Sequence, residues 1–476
     1  MDNAINGYYR LSWRERIGFC SGDLAQNLIY QTVSVWLLFY YNNVYGLDSS
    51  VVAVMFLVVR IIDVIWDPMV GAIVDKSHPR WGKYRSWLIL GSVLLATFAS
   101  LCFWNGFSGS FLYAYVTYVG MSMSFTFVNV PYAALGSSLT RDTDEITILT
   151  SVRMVMANLA GLIIKTLPLV IVLFAPKVLN SQTGEFEATY NTPEAGEAWF
   201  ITMSLFALIG LVLLLVTFFE SKERLVMDKS ESAQVKVSDL WMELVRNRPL
   251  RVLSFFFIIA FTTMSISNAA DSYFITFNMH ATPLMTTVFM WLGTIPAFIF
   301  MPMVPAIKRR IGKNGMFRLF LGVAIVAMLL MYLIMKVESL KSITTLIFVV
   351  QFVKSTGVVV ATGYMWALVP EVVTFSEYAS GHRVAGIVNA LICIFMKAGM
   401  ALGGVIPGLV LTWVGFMAGE SVQTPMAEQG ILWLVTLIPA VLFVLAIFVI
   451  GEYELSDEKM DELNAAVTNK VKSEKR

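Results

Sequence analysis

Residues 56–75 read FLVVRIIDVIWDPMVGAIVD, an apolar stretch that carries Arg60, Asp63 and Asp67 at spacings of three and four. Residues three and four apart lie on one helical face, so this stretch predicts an apolar helix with one charged stripe. A charge at the bilayer centre costs at least about 2.5–3.5 kcal/mol on insertion scales. Charges kept in such a helix normally face a wet cavity, so the stripe indicates the path of an ion or substrate.

The composition of the 476-residue chain is typical of a polytopic membrane protein: 57% of its residues are hydrophobic and only 14% are charged. A soluble chain carries roughly a quarter charged residues. The three cysteines fall in apolar segments without a disulfide framework or CxxC motif, and three histidines are too few for a His-rich metal site. Arg10, Arg14 and Arg16 precede the first apolar span, but no A-x-A-like cleavage site follows it. The first helix is therefore predicted to be uncleaved and not a signal peptide.

Twelve stretches approach the roughly 20 apolar residues that a spanning helix needs. They predict an all-α integral membrane protein with an N-terminal six-helix half (1–219), a polar central loop (220–248), a C-terminal six-helix half (249–452) and a charged tail (453–476). The tail is expected to be a solvated helix or disordered. The predicted spans are 16–43, 50–76, 86–105, 111–135, 150–176, 197–219, 249–279, 284–306, 315–336, 341–370, 384–414 and 429–452.

The placement of basic residues predicts that both termini are cytoplasmic. With this orientation most of the 34 lysines and arginines fall in the cytoplasmic segments, and the outer loops hold only Lys177, Lys336 and Lys341. Such a bias is the positive-inside pattern, which a wrong helix count would scramble. Two six-helix halves joined by a long cytoplasmic loop are the layout of the major facilitator superfamily, whose halves rock about a site near the midplane.

The loop between helices 2 and 3, GAIVDKSHPRWGKYR (71–85), resembles the signature of that superfamily at this place. A carboxylate at a helix end can pair with arginines and hold the cytoplasmic side shut. The alternative is a loop whose basic residues only follow the charge topology. We expect an inner gate that includes Asp75, Arg80, Arg141, Glu377 and Arg383.

Several strings narrow the resemblance to the melibiose-permease, or glycoside–pentoside–hexuronide:cation symporter, family. They are RIIDVIWDPMVGAIVD (60–75), RWGKYRSWL (80–88), NVPYAALGSSLT (129–140), SVR (151–153), SEY (376–378) and HRVAG (382–386). The resemblance implies that Asp63, Asp67 and Thr126 hold the coupling cation.

The residues themselves leave the identity of this cation open. Two carboxylates one turn apart can offer oxygen ligands to sodium, or they can share a proton because close like charges do not both ionise easily. Arg60 would hold the empty site together. Asn27 stands where sodium-using relatives have an acid, which weakens a cation site and favours a proton over sodium. The alternative function of the stripe is a salt-bridge network that transports no ion.

The resemblance also implies a set of substrate contacts. Asn129 replaces the sugar-binding acid of the melibiose carriers, and its amide can still bond a sugar hydroxyl. Arg153 matches a sugar-contacting arginine, and Lys397 matches a helix-11 lysine linked to both sites. Asp23 lies one turn before Asn27 on the same helical face, and both are included as substrate residues. Asn27 is also included among the residues expected to bind the cation.

Two aromatic side chains, Tyr132 and Trp366, are candidates to pack against the sugar. Aromatic side chains in membrane helices more often face lipid or the interface, which is the alternative for both.

Lys165 and Lys354 fall about mid-span, where the family resemblance implies no lysine. They form a predicted charge network with Arg60 and Asp271, the only acid in the spans of the second half. Asp271 either neutralises one of these lysines in a structural pair, or surplus positive charge in the cavity selects an anionic sugar.

The sequence therefore predicts a cation-coupled symporter that imports a sugar or glycoside across the cytoplasmic (inner) membrane by alternating access. An acidic sugar such as a uronate or glucuronide and proton coupling are preferred over sodium coupling with a neutral glycoside. A transporter-fold sensor and an exporter are further alternatives. No nucleophile–base pair, metal motif or phosphate loop points to an enzyme. We expect no catalytic residue, no cofactor beyond H⁺ or Na⁺, no nucleic-acid partner and a monomer in the lipid bilayer.

Overall fold

The computed structural model describes residues 10–463 except 78, 141–142, 180–185, 225–236, 381–384, 421, 457 and 461. In the first part of the chain the helices are α1 (Trp13–Tyr40), α2 (Ser49–Lys76), α3 (Arg85–Leu101), α4 (Phe111–Leu139), α5 (Thr143–Ile164), α6 (Leu167–Phe174) and α7 (Gly196–Glu220). An antiparallel pair of short strands, β1 (Lys177–Leu179) and β2 (Phe186–Ala188), separates α6 from α7.

The rest of the described chain is helical. It contains α8 (Val237–Arg246), α9 (Arg248–Tyr273), α10 (Pro283–Leu292), α11 (Ile295–Phe300), α12 (Val304–Lys336), α13 (Glu338–Lys341), α14 (Thr344–Tyr364), α15 (Val369–Ser380), α16 (Ala385–Trp413), α17 (Pro425–Val435) and α18 (Leu437–Gly451). Two π-helical turns, Tyr41–Tyr45 and Phe274–Asn278, continue α1 and α9.

Local sequence signals explain where two of the long helices begin. At the start of α1 the Ser12 hydroxyl accepts from the Glu15 N–H, and the Glu15 carboxylate accepts from the Ser12 N–H, which is a complete capping box. At the start of α9 the Asn247 side chain accepts from the Leu250 N–H, and Pro249 occupies the first turn, where a missing N–H costs nothing.

The described residues contain nine helical stretches long and apolar enough to cross a membrane, or ten when α5 and α6, bent by 44°, count as one crossing. The two further predicted spans coincide with α1, which has 28 residues, and α3, which has 17. Each of the twelve predicted stretches thus falls on helical structure, and the prediction of an all-α membrane fold is confirmed.

The chain divides into two compact units, and each is built by helix packing around its own core. In the first unit α1 packs against α5 and α7, α3 packs against α4 and α7, and α2 packs against α4. In the second unit α12 packs against α14 and α18, and α18 packs against α9. The first unit comprises residues 1–231, 275–288 and 411–427, and the second comprises 232–274, 289–410 and 428–476.

Tyr190 shows why residues 275–288 group with the first unit. Its buried phenol oxygen lies 2.8 Å from the Thr276 hydroxyl and 3.3 Å from the Thr286 hydroxyl. Its backbone carbonyl accepts from the indole of Trp199 at 2.7 Å, and its ring stacks on Phe39. The segment after β2 therefore ties residues 275–288 to α1 and α7 through polar contacts inside an aromatic cluster.

Glycines on α16 let it approach α9 closely within the second unit. A Cβ on Gly399 would lie 2.6 Å from the Ile258 carbonyl oxygen, and one on Gly403 would lie 2.5 Å from that of Thr262. The Thr262 hydroxyl donates to the Gly399 carbonyl at 3.1 Å. Small residues at such crossings allow backbone contact in membrane helices.

The beginning of the C-terminal tail is packed rather than solvated, so the prediction of a solvated or disordered segment is wrong for its described residues 453–463. Tyr453, Leu455, Met460 and Leu463 are buried in the core of the second unit. They are apolar residues spaced through a charged sequence, and a helix-end turn brings them onto the core. Their burial contributes hydrophobic stabilisation that the overall charge of the tail conceals.

A buried polar cluster anchors the same segment. The Lys313 ammonium lies 2.8 Å from the Glu371 carboxylate and donates to the Leu455 carbonyl at 3.2 Å. The Tyr453 hydroxyl donates to Glu371 at 3.3 Å. Burial, followed by the charge of Glu371 and the hydrogen bond to it, raises the pKa of the Tyr453 phenol. The phenol therefore keeps its proton and remains the donor.

Candidate functional site

The charged stripe of α2 meets two hydroxyl groups on α4. The Ser122 hydroxyl donates to Asp63 Oδ1 at 2.5 Å, and the Thr126 hydroxyl donates to Asp67 Oδ1 at 2.9 Å. Asp63 and Asp67 are four residues apart on α2, and Ser122 and Thr126 are four residues apart on α4. The two contacts therefore lie one turn apart on the facing surfaces of the two helices. The result is a ladder of two carboxylate–hydroxyl contacts between α2 and α4.

Asp63 is held from both sides. Its second oxygen, Oδ2, lies 3.2 Å from Arg60 Nη1, and the Arg60 guanidinium sits 5.8 Å from the centre of the Tyr30 ring. Asp63 is only 7% exposed. The guanidinium and the hydroxyl supply the charge and hydrogen-bond compensation that the burial of a carboxylate requires.

The chemistry of this ladder suits a hard cation or a proton. It offers two carboxylates and two hydroxyls, which are the oxygen ligands that sodium and similar ions take in proteins. Pro68 adds a further oxygen on the same turn, since it has no N–H to donate to the Val64 carbonyl of the helix. Among the residues that the structure describes, no three His, Cys, Asp or Glu side chains converge as they would on a transition metal.

Asp23 forms a second polar cluster in the same unit. Arg153 approaches it with Nε 2.6 Å from Oδ2 and Nη2 3.3 Å from Oδ1. The Tyr132 hydroxyl donates to Asp23 Oδ2 at 2.7 Å and also lies 3.0 Å from the Phe19 carbonyl. Helices α1, α4 and α5 thus converge on one carboxylate, and the fork of the arginine fixes its orientation.

The structure changes the role expected for Tyr132. Its ring is 1% exposed and stacks on Phe19 with 4.7 Å between the ring centres. The Arg153 guanidinium sits 5.3 Å from its centroid. A ring enclosed in this way has no free face for a sugar, so Tyr132 positions Asp23 and Arg153 instead.

Asn27 is half-buried and already engaged. Its amide donates to the Asp23 carbonyl at 2.9 Å, and its oxygen accepts from Gln31 at 3.0 Å. Gln31 also reaches the Ala157 carbonyl on α5 at 3.2 Å. Asn129, one turn beyond Thr126 on α4, is exposed. The structure therefore makes Asn27 part of the α1–α5 contact and leaves the Asn129 amide accessible.

In the second unit Asp271 pairs with one of the two unexpected lysines. The Lys354 ammonium lies 3.4 Å from Asp271 Oδ1, and the Gln351 amide donates to Oδ2 at 3.3 Å. Lys354 is 3% exposed. Lys165 lies within the predicted span, at the break between α5 and α6. Asp271 therefore neutralises Lys354 within the second unit.

Two predicted substrate residues also belong to the second unit. Lys397 is half-buried on α16, two and six residues before the glycines that contact α9. Trp366 is 43% exposed and meets the rings of Phe257 and Phe261 edge-on, with centres 5.0 and 6.2 Å away. Its partly open ring keeps it a candidate for contact with a sugar.

Most of the expected inner gate lies outside the described part of the chain. Arg141 and Arg383 are not among the described residues, and the side chains of Asp75 and Glu377 are not described. Arg80 is exposed. The gate stays a prediction.

Three functional candidates were missed by the sequence analysis: Ser122, Gln31 and Gln351. Ser122 had a detectable signal, since it stands four residues before Thr126 as Asp63 stands four before Asp67. Gln31 continues the polar face of Asp23 and Asn27 at the same spacing. A repeated spacing on two helices is the pattern that could have revealed the ladder.

Helical bundles with charged residues inside apolar spans define a polytopic membrane transporter. The match to a family model described as MFS/sugar transport protein, over residues 18–457, makes the class definite. The chain belongs to this family. The family placement also confirms the prediction of a transporter rather than an enzyme.

Curated relatives resemble the chain over nearly its whole length. It is 40% identical to an uncharacterized symporter, YnaJ, of Bacillus subtilis, with 97% of this chain and 96% of the relative covered. It is 29% identical to the glucuronide carrier protein homolog of Escherichia coli, with 97% of each covered. The isoprimeverose transporter of Lactiplantibacillus pentosus is 30% identical, with 86% of this chain and 82% of the relative covered.

Solved structures show the same fold at low identity. A bacterial homolog of the human lysosomal transporter Spinster has a TM-score of 0.64 at 12% identity, covering 94% of this chain and all of that one. The nucleoside transporter NupG has a TM-score of 0.60 at 12% identity, covering 93% and 99%. The major facilitator fold predicted from the sequence is confirmed.

Proposed function

We propose that this protein is a symporter that couples the entry of a sugar or glycoside to a cation bound by Asp63, Asp67, Ser122 and Thr126. The observation that carries the proposal is the double carboxylate–hydroxyl ladder between α2 and α4, closed by Arg60. The names of the relatives, which include a glucuronide carrier homolog, an isoprimeverose transporter and a glycoside/cation symporter, support a sugar as the cargo.

We favour a proton as the coupling ion. The α1 position that would add a carboxylate is Asn27, and its amide is occupied by Asp23 and Gln31. With one carboxylate already paired to Arg60, the site carries little surplus negative charge for a metal cation. Binding a proton neutralises one of the two carboxylates without any further ligands. The ladder also supports sodium as the second candidate, because Ser122 and Thr126 supply the neutral oxygens that a sodium shell needs.

We propose that Asp23, Arg153 and Asn129 contact the substrate from the first unit. We propose the same role for Lys397 and Trp366 of the second unit. Asp23 can accept from sugar hydroxyls while the guanidinium of Arg153 donates. Such a bidentate pair is polar on both partners, which suits the alternating donors and acceptors of a sugar.

An acidic sugar remains our preferred cargo, although the structure narrows the argument. Lys354 is neutralised by Asp271 and no longer counts as surplus charge. The hypothesis now rests on the replacement of a family acid by Asn129, which removes a negative charge from the expected substrate contacts. A uronate or glucuronide carboxylate would complement that balance.

We further propose insertion in the cytoplasmic membrane with both termini inside, halves at 1–219 and 249–452, and a monomer as the working unit. Coupling then requires that bound cation and bound sugar raise the affinity of each other by the same factor. Neither would cross efficiently alone.

Uptake into right-side-out vesicles tests the proposal. A labelled panel of neutral glycosides and uronates is assayed with a proton gradient alone and with a sodium gradient alone. Proton-driven entry of a uronate supports the full proposal, and sodium-driven entry of a neutral glycoside supports the second candidate. Asp67→Asn should abolish gradient-driven uptake, while the matched control Asp48→Asn, at the exposed start of the same helix, should not. Gradient-driven uptake that survives Asp67→Asn contradicts the assigned cation site.

A further inference from the structure

An apolar groove of about 570 Å³ runs along one surface of the second unit, between α12 and α14. Its walls are almost entirely aliphatic, with Val326 and Leu330 on α12 and Val349 and Val353 on α14. Gly322 lines the groove one turn from Arg318, and an added Cβ there would meet no atom within 4 Å. The groove is thus a channel that the missing side chain of Gly322 leaves open, and it has no part in the sites described above.

The groove follows the helix axis for the depth of one membrane leaflet. Its lining residues on α12 recur at 318, 322, 326 and 330, which is a single face of the helix. Twelve residues of helix rise about 18 Å. Half of the bilayer hydrocarbon core, which is about 30 Å thick, is about 15 Å. The groove therefore has the length and the wall chemistry to hold one acyl chain.

Arg318 closes one end of the groove and supplies the charge. Its side chain is exposed, and no Asp or Glu of the described residues lies within ion-pair distance of it. A Cβ on Gly451, the last residue of α18, would lie 3.9 Å from Arg318 Nη2. The guanidinium therefore sits level with the end of an apolar helix, where the hydrocarbon region gives way to headgroups.

Further basic residues stand on the same side. Lys308, Arg309 and Arg310 precede the break in α12 at Gly312, on the side that the topology predicts to be cytoplasmic. Clusters of this kind at the cytoplasmic interface attract anionic lipid headgroups. The apolar channel and its charged end thus match the two parts of a single anionic phospholipid.

We propose that the α12–α14 groove is a binding site for an anionic phospholipid of the cytoplasmic leaflet. One acyl chain lies along Gly322, Val326 and Leu330, and the phosphate accepts from Arg318. The guanidinium presents paired N–H donors to phosphate oxygens, a geometry that arginine provides and a solvated lysine does not.

Native mass spectrometry of the purified full chain in detergent tests the site. The protein is titrated with phosphatidylglycerol or with phosphatidylcholine carrying identical acyl chains. One basic contact near the membrane surface predicts about a fivefold preference for phosphatidylglycerol. Arg318→Gln should remove this preference and leave phosphatidylcholine binding unchanged. Lys341→Gln, which removes a partly exposed charge at the other end of this helix pair, is the matched control and should preserve it.

A second variant separates the groove from the charge. Gly322→Leu fills the channel, and because its Cβ points into open space it leaves the helix packing intact. It should displace both lipids by at least fivefold, whereas Gly315→Leu, on the same helix but outside the groove, should displace neither. Equal retention of the two lipids by the unaltered protein overturns the proposal. A preference for phosphatidylglycerol that is unchanged in Arg318→Gln also overturns it. A dimer lost on Gly322→Leu would also overturn it, since the groove would then hold a second copy of the chain.

Discussion

Replacing Ser122 by alanine tests whether the ladder between α2 and α4 binds the coupling cation. The hydroxyl donates to the buried carboxylate of Asp63 at 2.5 Å, and Asp63 has one other described partner, Arg60. A hydrogen bond to a charged group contributes about 1.5–3 kcal/mol. Its loss corresponds to a factor of about 10 to 150 in cation affinity, since 1.4 kcal/mol is a factor of ten.

The sign of the effect depends on the ion and identifies it. Because the hydroxyl stabilises the ionised carboxylate, its removal weakens sodium binding and strengthens proton binding. With sodium coupling, the concentration for half-maximal uptake should rise by about 10- to 150-fold. With proton coupling, sodium should have no effect in either variant, and the pH dependence of uptake should change instead.

Ser124→Ala is the matched control for this measurement. Ser124 lies on the same helix, is also buried, and donates only to the Gly120 carbonyl of its own helix at 2.6 Å. It should leave the cation dependence of uptake unchanged. If Ser122→Ala and Ser124→Ala show the same cation dependence, the ladder is a structural contact and the site assignment fails.

Three further predictions concern the ion pairs and the helix crossing. Lys354→Met leaves the half-buried Asp271 carboxylate without its cation and should destabilise the protein by about 3 kcal/mol, while Lys354→Met with Asp271→Leu should recover most of the loss; thermal unfolding in detergent measures both, and no recovery in the double variant contradicts the structural pair. Arg153→Lys loses the fork that grips both oxygens of Asp23 and should weaken sugar affinity by at least about tenfold without a matching loss of melting temperature, which substrate-concentration curves will show or refute. Gly403→Val places a Cβ 2.5 Å from a carbonyl oxygen of α9 and should cut the yield of folded protein, so normal expression of this variant would argue against the close crossing.

The sequence predicted those features that repeat along one helix. The spacing of Arg60, Asp63 and Asp67 placed the three charges on one face of α2, and the structure has Asp63 and Asp67 facing α4 as that spacing requires. Hydrophobic length placed the spans in the same way. These features depend on residues within a few turns of one another, so local periodicity is enough to find them.

Features that depend on which helices meet could not be predicted in this way. From the sequence, Asp271 can pair with either of two lysines, and only the packing of α9 against its neighbours in the second unit selects Lys354 over Lys165. The sequence favours Tyr132 as a residue that packs against a sugar, but its burial against Phe19 is set by the α1–α4 contact. The composition of the tail does not predict that its first residues pack on the core, because Leu455 and Leu463 are outnumbered by charged neighbours.

The docked segment that follows α18 bears on how this protein can be handled. Leu455 and Leu463 complete the core of the second unit, and Lys313 bonds to the Leu455 backbone. A reporter or affinity tag fused directly after Gly451, in place of the residues that follow it, would remove the segment that covers this core. The buried ammonium of Lys313 would then face an open surface. Fusions that start beyond residue 463 keep the cover in place, so a topology reporter there would read the position of the terminus in an intact protein.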